Sequence, residues 1–444
     1  MATVETDART VETTGETTPV DLAWLAEQIP YRFYQECIHC GFCLPTCPTY
    51  VLTGDENDSP RGRIYLMKSV ADGRLAVGPE IRKHLEFCLD CRACETACPS
   101  GVKYARLVEP FKIELIRKTP PGKGFGTLQK VVLHHLLPYS NRVRASLLPV
   151  RLLQKIGLMN PLRKSGLFKL LPSTLRNMEA TVPTLQPASN LPEVLPAIGP
   201  RRARVGILLG CVTDVMTPQT NSATARVLRR NGCEVVVPRA QTCCGAIHYH
   251  SGAEAPALAM ARQNMEAFDF ENLDAIVVNA AGCGAMFKSY DHVLPPEERE
   301  RAARFVAKVK DVSEFLMELG PIPPDNPLPL KVTYHDACHL RHGQQVYDQP
   351  RRLLEMIPGL ELVPLAESEL CCGAAGTYNL TEPEAAHRLG RRKAGNVEAT
   401  GAAVVASGNI GCTLQIGRHI REAGLNVEVV HPVDLLDRAY EGGS

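Results

Sequence analysis

Apolar and polar positions follow three different rhythms along this chain. An opening stretch, "MATVETDARTVETTGETTPVD", has no apolar period at all and reads as a disordered acidic tail over residues 1–21. From Leu22 the pattern turns helical. In "SPRGRIYLMKSVADGR", Ser59 is placed to cap a helix that starts at Pro60, and Ile64, Leu66, Met67 and Val70 recur at roughly helical spacing. A leucine-rich stretch, "ASLLPVRLLQKIGLMNPLRKSGLFKLLPS", reads as short amphipathic helices broken by Pro and Gly. Beyond residue 200, β-branched runs such as "RVGILLG", "CEVVVP" and "DAIVVNA" alternate with helical segments such as "TNSATARVLRRNG" and "AEAPALAMARQNMEAF". That alternation predicts parallel sheets flanked by helices.

The second half is also a duplication. Cys211, the pair Cys243–Cys244, and Cys283 reappear as Cys338, Cys371–Cys372, and Cys412. Corresponding cysteines lie 127 (Cys211 to Cys338), 128 (Cys243 to Cys371) and 129 (Cys283 to Cys412) residues apart, so two copies of one unit follow each other almost without insertion. With two further runs of four cysteines in the helical N-terminal part, Cys37 to Cys47 and Cys88 to Cys98, spaced as in two-cluster ferredoxins, the fold class expected is α+β and multidomain, an α-helical two-cluster ferredoxin domain followed by a duplicated α/β cysteine-rich unit with parallel sheets. Its divisions are the tail (1–21), the ferredoxin-type domain (22–110), a basic helical bridge with a Pro-rich linker (111–200), and the two cysteine-rich repeats (201–320 and 321–444).

At 444 residues with 45% hydrophobic and 22% charged residues, the chain has material for several cores. It has no apolar run long enough to span a bilayer and no signal-peptide pattern, which points to the cytoplasm. Net charge is only +1, yet residues 115–178 hold no Asp or Glu and twelve Lys or Arg: Arg117, Lys118, Lys123, Lys130, Arg142, Arg144, Arg151, Lys155, Arg163, Lys164, Lys169 and Arg176. Anionic lipid on the inner face of the membrane, an acidic partner subunit, and a polar face packed on its own protein are the open readings of that segment. Nucleic acid is disfavoured because few aromatics interleave the charges.

Seventeen cysteines in a chain read as cytoplasmic call for metal or redox chemistry rather than disulfides. Two runs, "CIHCGFCLPTCP" from Cys37 and "CLDCRACETACP" from Cys88, share the form C-x2-C-x2-C-x3-C-P. Three closely spaced thiolates wrap one corner of a cubane cluster, and the fourth crosses to the neighbouring cluster, as in two-cluster ferredoxins. The expected sets are Cys37, Cys40, Cys43 and Cys98 for one [4Fe-4S] cluster, and Cys88, Cys91, Cys94 and Cys47 for the other. Zinc has no use for the third cysteine of each run. Arg61 and Arg63 read as a solvated first turn, with a charge beside a cluster as the alternative. Cys233, outside every group, reads as a small buried residue at a strand start.

In the repeats, loops leaving parallel strands would bring Cys211, Cys243, Cys244 and Cys283 together, and likewise Cys338, Cys371, Cys372 and Cys412. An iron–sulfur centre is the leading reading, with a metal-free thiol cluster or zinc as alternatives. Gly245 and Gly373 are placed for a tight turn and close approach to a bulky ligand. His248, His250, His335, His339 and His342 lie near these cysteines in sequence. A proton relay and ordinary core or surface positions are both open for them, and no role is assigned.

The stretches "CIHCGFCLPTCPTY", "DSPRGRIYLMK", "CLDCRACETACPSGVKY", "CCGAIHYH", "GCGAMFKSY", "CCGAAGTYNLT" and "NIGC" resemble the glycolate oxidase iron–sulfur subunit family. The resemblance implies a subunit that is not itself catalytic. It would take electrons from FAD-containing partner subunits oxidising glycolate to glyoxylate and pass them to a quinone or other membrane acceptor. The paired-cysteine repeats are shared with the anaerobic glycerol-3-phosphate dehydrogenase small subunit, lactate-utilisation proteins and the cysteine-rich subunit of heterodisulfide reductase, so the equivalent roles there are the alternatives. In heterodisulfide reductase each frame ends in C-x2-C, whereas here it ends in one cysteine. The chain carries no G-x-G-x-x-G between strand and helix, and FAD is expected only on the partners.

Overall fold

The computed structural model describes residues 17–118 and 131–442. The acidic tail up to residue 16, and Lys123 and Lys130 of the basic segment, lie outside the described residues. Helix Leu22–Gln28 begins where expected, with the Asp21 carboxylate accepting from the Trp24 amide. Ser59 caps helix Pro60–Ala71 by accepting from Gly62 N, and Ile64, Met67 and Val70 turn inward while Leu66 is half-buried. With Leu25, Leu85, Leu107 and Phe111 they form the core of a helical first body. Its last helix, Ala105–Arg117, runs through the boundary expected at residue 110.

The bridge is a string of short helices, among them Ser140–Ser146, Leu148–Lys155, Met159–Ser165 and Ser173–Thr181. Val143 anchors it against Val215 and Met216 of the first repeat. The Pro-rich stretch that follows is not a free linker. Its residues Val194–Leu195 form strand β1, which pairs antiparallel with the first repeat's sheet.

That sheet contains β2 (Ala203–Leu208), β3 (Cys233–Val236), β4 (Ala275–Val278) and β5 (Val309–Asp311), in the order β1-β3-β2-β4-β5. The second repeat forms β6 (Lys331–Tyr334), β7 (Glu361–Val363), β8 (Val404–Ala406) and β9 (Glu428–Val430), in the order β7-β6-β8-β9. Without β1 the two orders coincide. Register repeats as well, since Val205 faces Ala275 in one sheet and Val332 faces Val404 in the other. All pairs except β1–β3 are parallel, and β4 and β8 are buried throughout, as strands covered on both faces must be.

One apolar core joins the repeats, drawing Val205, Ile207 and Val235 from the first sheet and Val332, Val404 and Val430 from the second. Helix Pro218–Arg230 lies along helix Pro432–Glu441, fastened by Arg226 to Asp437 at 2.5 Å and Thr220 to Asp434 at 3.1 Å. Cys233 is fully buried at the start of β3, as its context predicts. The first body rests on both repeats: Tyr378 donates to Phe87 O (3.2 Å), His342 bonds Thr96 (3.0 Å), and Arg106 meets His292 (2.8 Å).

Candidate metal centres

The two N-terminal cysteine runs fold alike. Each places its third and fifth residues in the left-handed region: His39 and Gly41 in the first, Asp90 and Arg92 in the second. That geometry curls the loop so that amides turn toward sulfur, and the Asp90 amide donates to Cys88 Sγ at 3.3 Å. Cys37, Cys40, Cys43 and Cys98 line one small cavity together with Cys94. Cys47, Cys88, Cys91 and Cys94 are buried in the interior. The residues present fit a pair of iron–sulfur clusters: concave, thiol-lined, and shielded by Pro60, Ile64, Val102 and Tyr104.

The two sets differ in exposure. Cys40 is exposed, and Ile38 (67%) and Phe42 (66%) stand out beside it. The second set lies against the second repeat, where Cys91 packs with Cys338 and Cys371. Burial, then the nearby Cys371, pushes the Cys91 thiol well up. Burial also opposes ionisation of Cys88, but Arg63 and Lys112 outweigh it and hold that thiol below its usual range.

Arg63 corrects one expectation. It is not a solvated first-turn residue but 1% exposed, with Nε donating to His84 O (2.6 Å) and Nη1 to Thr49 (3.0 Å). Nη1 lies 4.0 Å from Cys47 Sγ. Arg61 stays at the surface, paired with Glu56 at 2.6 Å and donating to His39 O.

The repeats bring all eight of their cysteines to one cavity of ≈ 1400 Å³, which Cys88 also reaches. The cause is symmetry. Each loop leaves the carboxyl end of a strand, and the two equivalent loops after β4 and β8 touch, with Ala281 N donating to Gly408 O (3.1 Å) and Gly282 N to Asn409 Oδ1 (3.2 Å). The first frame has Cys211 Sγ 3.3 Å from Cys243 Sγ. Bonding from Cys211 and then Cys244 holds Cys243 well below the usual thiol range, while Cys211 and Cys244 are pushed up. Cys371 repeats this, lowered by Cys338 and then Cys372. Thiols so close, buried and competing for protons form the donor set that a cation would complete.

Adjacent cysteines both reach the cavity because the chain turns immediately after them. Gly245 has φ +88° and Gly373 φ +86°. These glycines also approach the backbone closely: a Cβ would meet Ala257 O at 3.1 Å and Ala386 O at 2.9 Å.

Among the histidines, His248 stacks on His134, and His342 serves the contact with the first body. His339 Nδ1 is 3.5 Å from Cys338 Sγ. His250 joins Asp90 and Glu109 on the cavity wall, with Arg92 bound to Glu109 at 2.7 Å. Burial raises the Asp90 carboxyl well above its usual range. The sequence offers His250 as one of five histidines but not Asp90 or Glu109 as its neighbours, because His250 lies in a different domain from the two acids.

Family models match the chain over residues 36–102 (4Fe-4S dicluster domain), 126–182 (glycolate oxidase iron-sulfur subunit, linker region), and 205–288 with 332–417 (cysteine-rich domain). The probable glycolate oxidase iron-sulfur subunit of Bacillus subtilis (strain 168) is 43% identical over 90% of this chain and 92% of its own length. The glycolate oxidase iron-sulfur subunit of Escherichia coli (strain K12) is 34% identical over 91% of this chain and 94% of its own. Lactate utilization protein A of Oceanobacillus iheyensis is 33% identical, matching 54% of this chain and 99% of that protein.

Proposed function

The chain belongs to the glycolate oxidase iron–sulfur subunit family, and from that premise we propose that it conducts single electrons from a flavin-bearing partner subunit oxidising glycolate toward a quinone-type acceptor. Cys37, Cys40, Cys43 and Cys98 hold one [4Fe-4S] cluster and Cys88, Cys91, Cys94 and Cys47 the second, with a further iron–sulfur centre on the cysteines of the repeats. Bound there, such clusters supply reversible one-electron transfer with every iron position of the N-terminal pair filled by sulfur.

The observation that carries the reading is the gradation of burial. The Cys40 edge opens to solvent between two exposed apolar residues, while the Cys91 edge is sealed against Cys338 and Cys371. Ile38 and Phe42 give a partner an apolar patch to cover at the outer end. The inner end leads to the cavity shared by both repeats. Replacing Cys40 by Ser tests this in the intact complex: glycolate should still reduce the flavin, and electron delivery to the acceptor should fall at least about a hundred-fold. Unchanged acceptor reduction refutes the conduit.

The similarity to lactate utilization protein A supports a second reading, the same wiring beside a lactate-oxidising partner. The match to the linker region of the glycolate oxidase subunit, which fills the bridge between the dicluster and the repeats, favours glycolate.

The bridge gives the complex a docking face. Its helix Leu148–Lys155 has no buried residue, and Leu148, Leu152, Ile156 and Leu170 are exposed, as are Arg142 and Lys155 of the same bridge. Apolar side chains flanked by cations suit an anionic lipid surface. No helix among the described residues is long and apolar enough to cross a membrane.

A further inference from the structure

The two repeats share a fold, a register and four cysteines, but their frames are not chemically alike. His335 lies just beyond the end of β6, three residues before Cys338. The equivalent residue in the first repeat, three before Cys211, is Leu208. His335 is 0% exposed, and the one group its ring bonds is the Cys412 thiol, in a contact outside ordinary hydrogen-bond geometry. A buried imidazole with a single thiol for a partner keeps one ring nitrogen unsatisfied, which costs about 1–3 kcal/mol unless something at the site takes its lone pair. Its neighbours are sulfurs: a ring nitrogen of His335 and the Sγ atoms of Cys372 and Cys412 all lie within 4.8 Å of one another. No ion is needed to draw them together, since β7, β6 and β8 are neighbours in the sheet and the segment after each delivers one donor.

The difference extends around the same frame. Asn409 donates to Cys412 Sγ at 3.4 Å, where the first repeat has Ala280. Lys393, 1% exposed, donates to Glu367 O, where the first repeat has the neutral Asn264 bonded to Cys243 O. The helices correspond at these positions, since Ala386 lies under Gly373 as Ala257 lies under Gly245. Three apolar or neutral residues of one frame are thus replaced by an imidazole, an amide donor and a buried cation in the other.

We propose that His335 is a metal ligand of the second frame, which gives it a mixed imidazole–thiolate iron–sulfur centre while the first frame is held by thiolates alone. This rests on the reading above that the frames carry iron. A donor on Cys412 and a buried ammonium beside the frame favour the reduced form, and a neutral imidazole adds no charge against it. The second-frame centre therefore has the higher reduction potential, and it is also the frame that touches Cys91. The second repeat is the one that draws electrons out of the N-terminal pair.

The test uses the full chain purified without oxygen, unlabelled or grown on 15N-histidine. Pulsed EPR of the reduced protein should show a nitrogen coupling whose isotope signature follows the label. His335→Leu, which copies the residue of the first repeat, should abolish that coupling while the signals of the two N-terminal clusters persist. If that variant loses its second-frame iron or fails to fold, His335→Cys decides: it should keep the wild-type iron content and lower the midpoint potential of that centre. A spectrum insensitive to the histidine label, a coupling that survives in His335→Leu, a His335→Cys protein with unaltered potential, or zinc in the second frame overturns the assignment. The N-terminal signals are read in the same spectra, so their absence, which would refute the conduit itself, is told apart from failure of the histidine assignment.

Discussion

At the scale of single residues, position relative to a thiol matters more than residue type. Arg61 and Arg63 stand two apart on one helix turn and look equivalent in the sequence. One reaches solvent and binds Glu56; the other is enclosed between Thr49, His84 O and Cys47. The difference comes from helical phase, since Arg63 shares the inward face with Met67 and Val70. Arg63→Met removes a buried cation 3.6 Å from Asp58. It should cost about 3 kcal/mol in chemical denaturation, because the Asp58 carboxylate stays buried beside His84 and a second carboxylate, Asp55. It should also lower the midpoint potential of the centre proposed for Cys47 and Cys88, whereas Arg63→Lys should restore most of that potential. Equal potentials in wild type and Arg63→Met would show that the charge has no electrostatic role. The cysteines were legible in the sequence because their spacing is itself the signal. His335 was visible as one of five nearby histidines, but nothing in the sequence separates it from His248 or His342. Only a closed site in which its ring meets the Cys372 and Cys412 thiols does that.

At the scale of elements, sequence pattern placed the strands and the Ser59 cap well, because β-branched runs and capping residues act locally. It placed the Pro-rich stretch poorly, because Val194 and Leu195 become a strand only by pairing with β3, far away in sequence. The C-terminal helix supplies a pH prediction. His431 caps helix Pro432–Glu441, its Nδ1 accepting from Val433 N, and burial depresses its pKa to about 3. A depressed base contributes stability that is full above its unfolded value near 6.5 and is lost as pH falls toward 3. The loss is at most about 1.4 kcal/mol per pH unit. The neighbouring Asp434, raised to about 6 chiefly by burial, acts in the opposite sense as pH rises from about 4 to 6. His431→Asn keeps an acceptor at the cap and should flatten the acid-side slope, with Asp434 common to both proteins. Parallel stability–pH curves for the two proteins would refute this role. For the bridge, Leu152→Ser with Ile156→Ser, Arg142→Glu and Lys155→Glu should weaken binding to phosphatidylglycerol vesicles at least about ten-fold. Arg144 is left intact because it holds Asp214 at 2.7 Å. If vesicle binding is unchanged and association with the flavin subunit falls instead, the face belongs to an acidic partner.

At the scale of the whole molecule, the duplication was readable from cysteine offsets alone, and it dictated two similar sheets. The single cavity was not readable, since it depends on how the copies meet. Contact between the loops after β4 and β8 turns two frames toward one space, and the first body closes it by bringing Cys88 to its wall, while Cys91 packs with Cys338 and Cys371. The outer thiol edge and the inner cavity are therefore the two ends of one object. Rapid-freeze EPR of the intact complex after addition of glycolate tests this most directly. The account predicts that signals of reduced N-terminal clusters rise after the flavin is reduced and decay when quinone is supplied, in material carrying about eight iron atoms in that domain. Flavin reduction with no paramagnetic signal from this chain, or zinc in place of that iron, would contradict it.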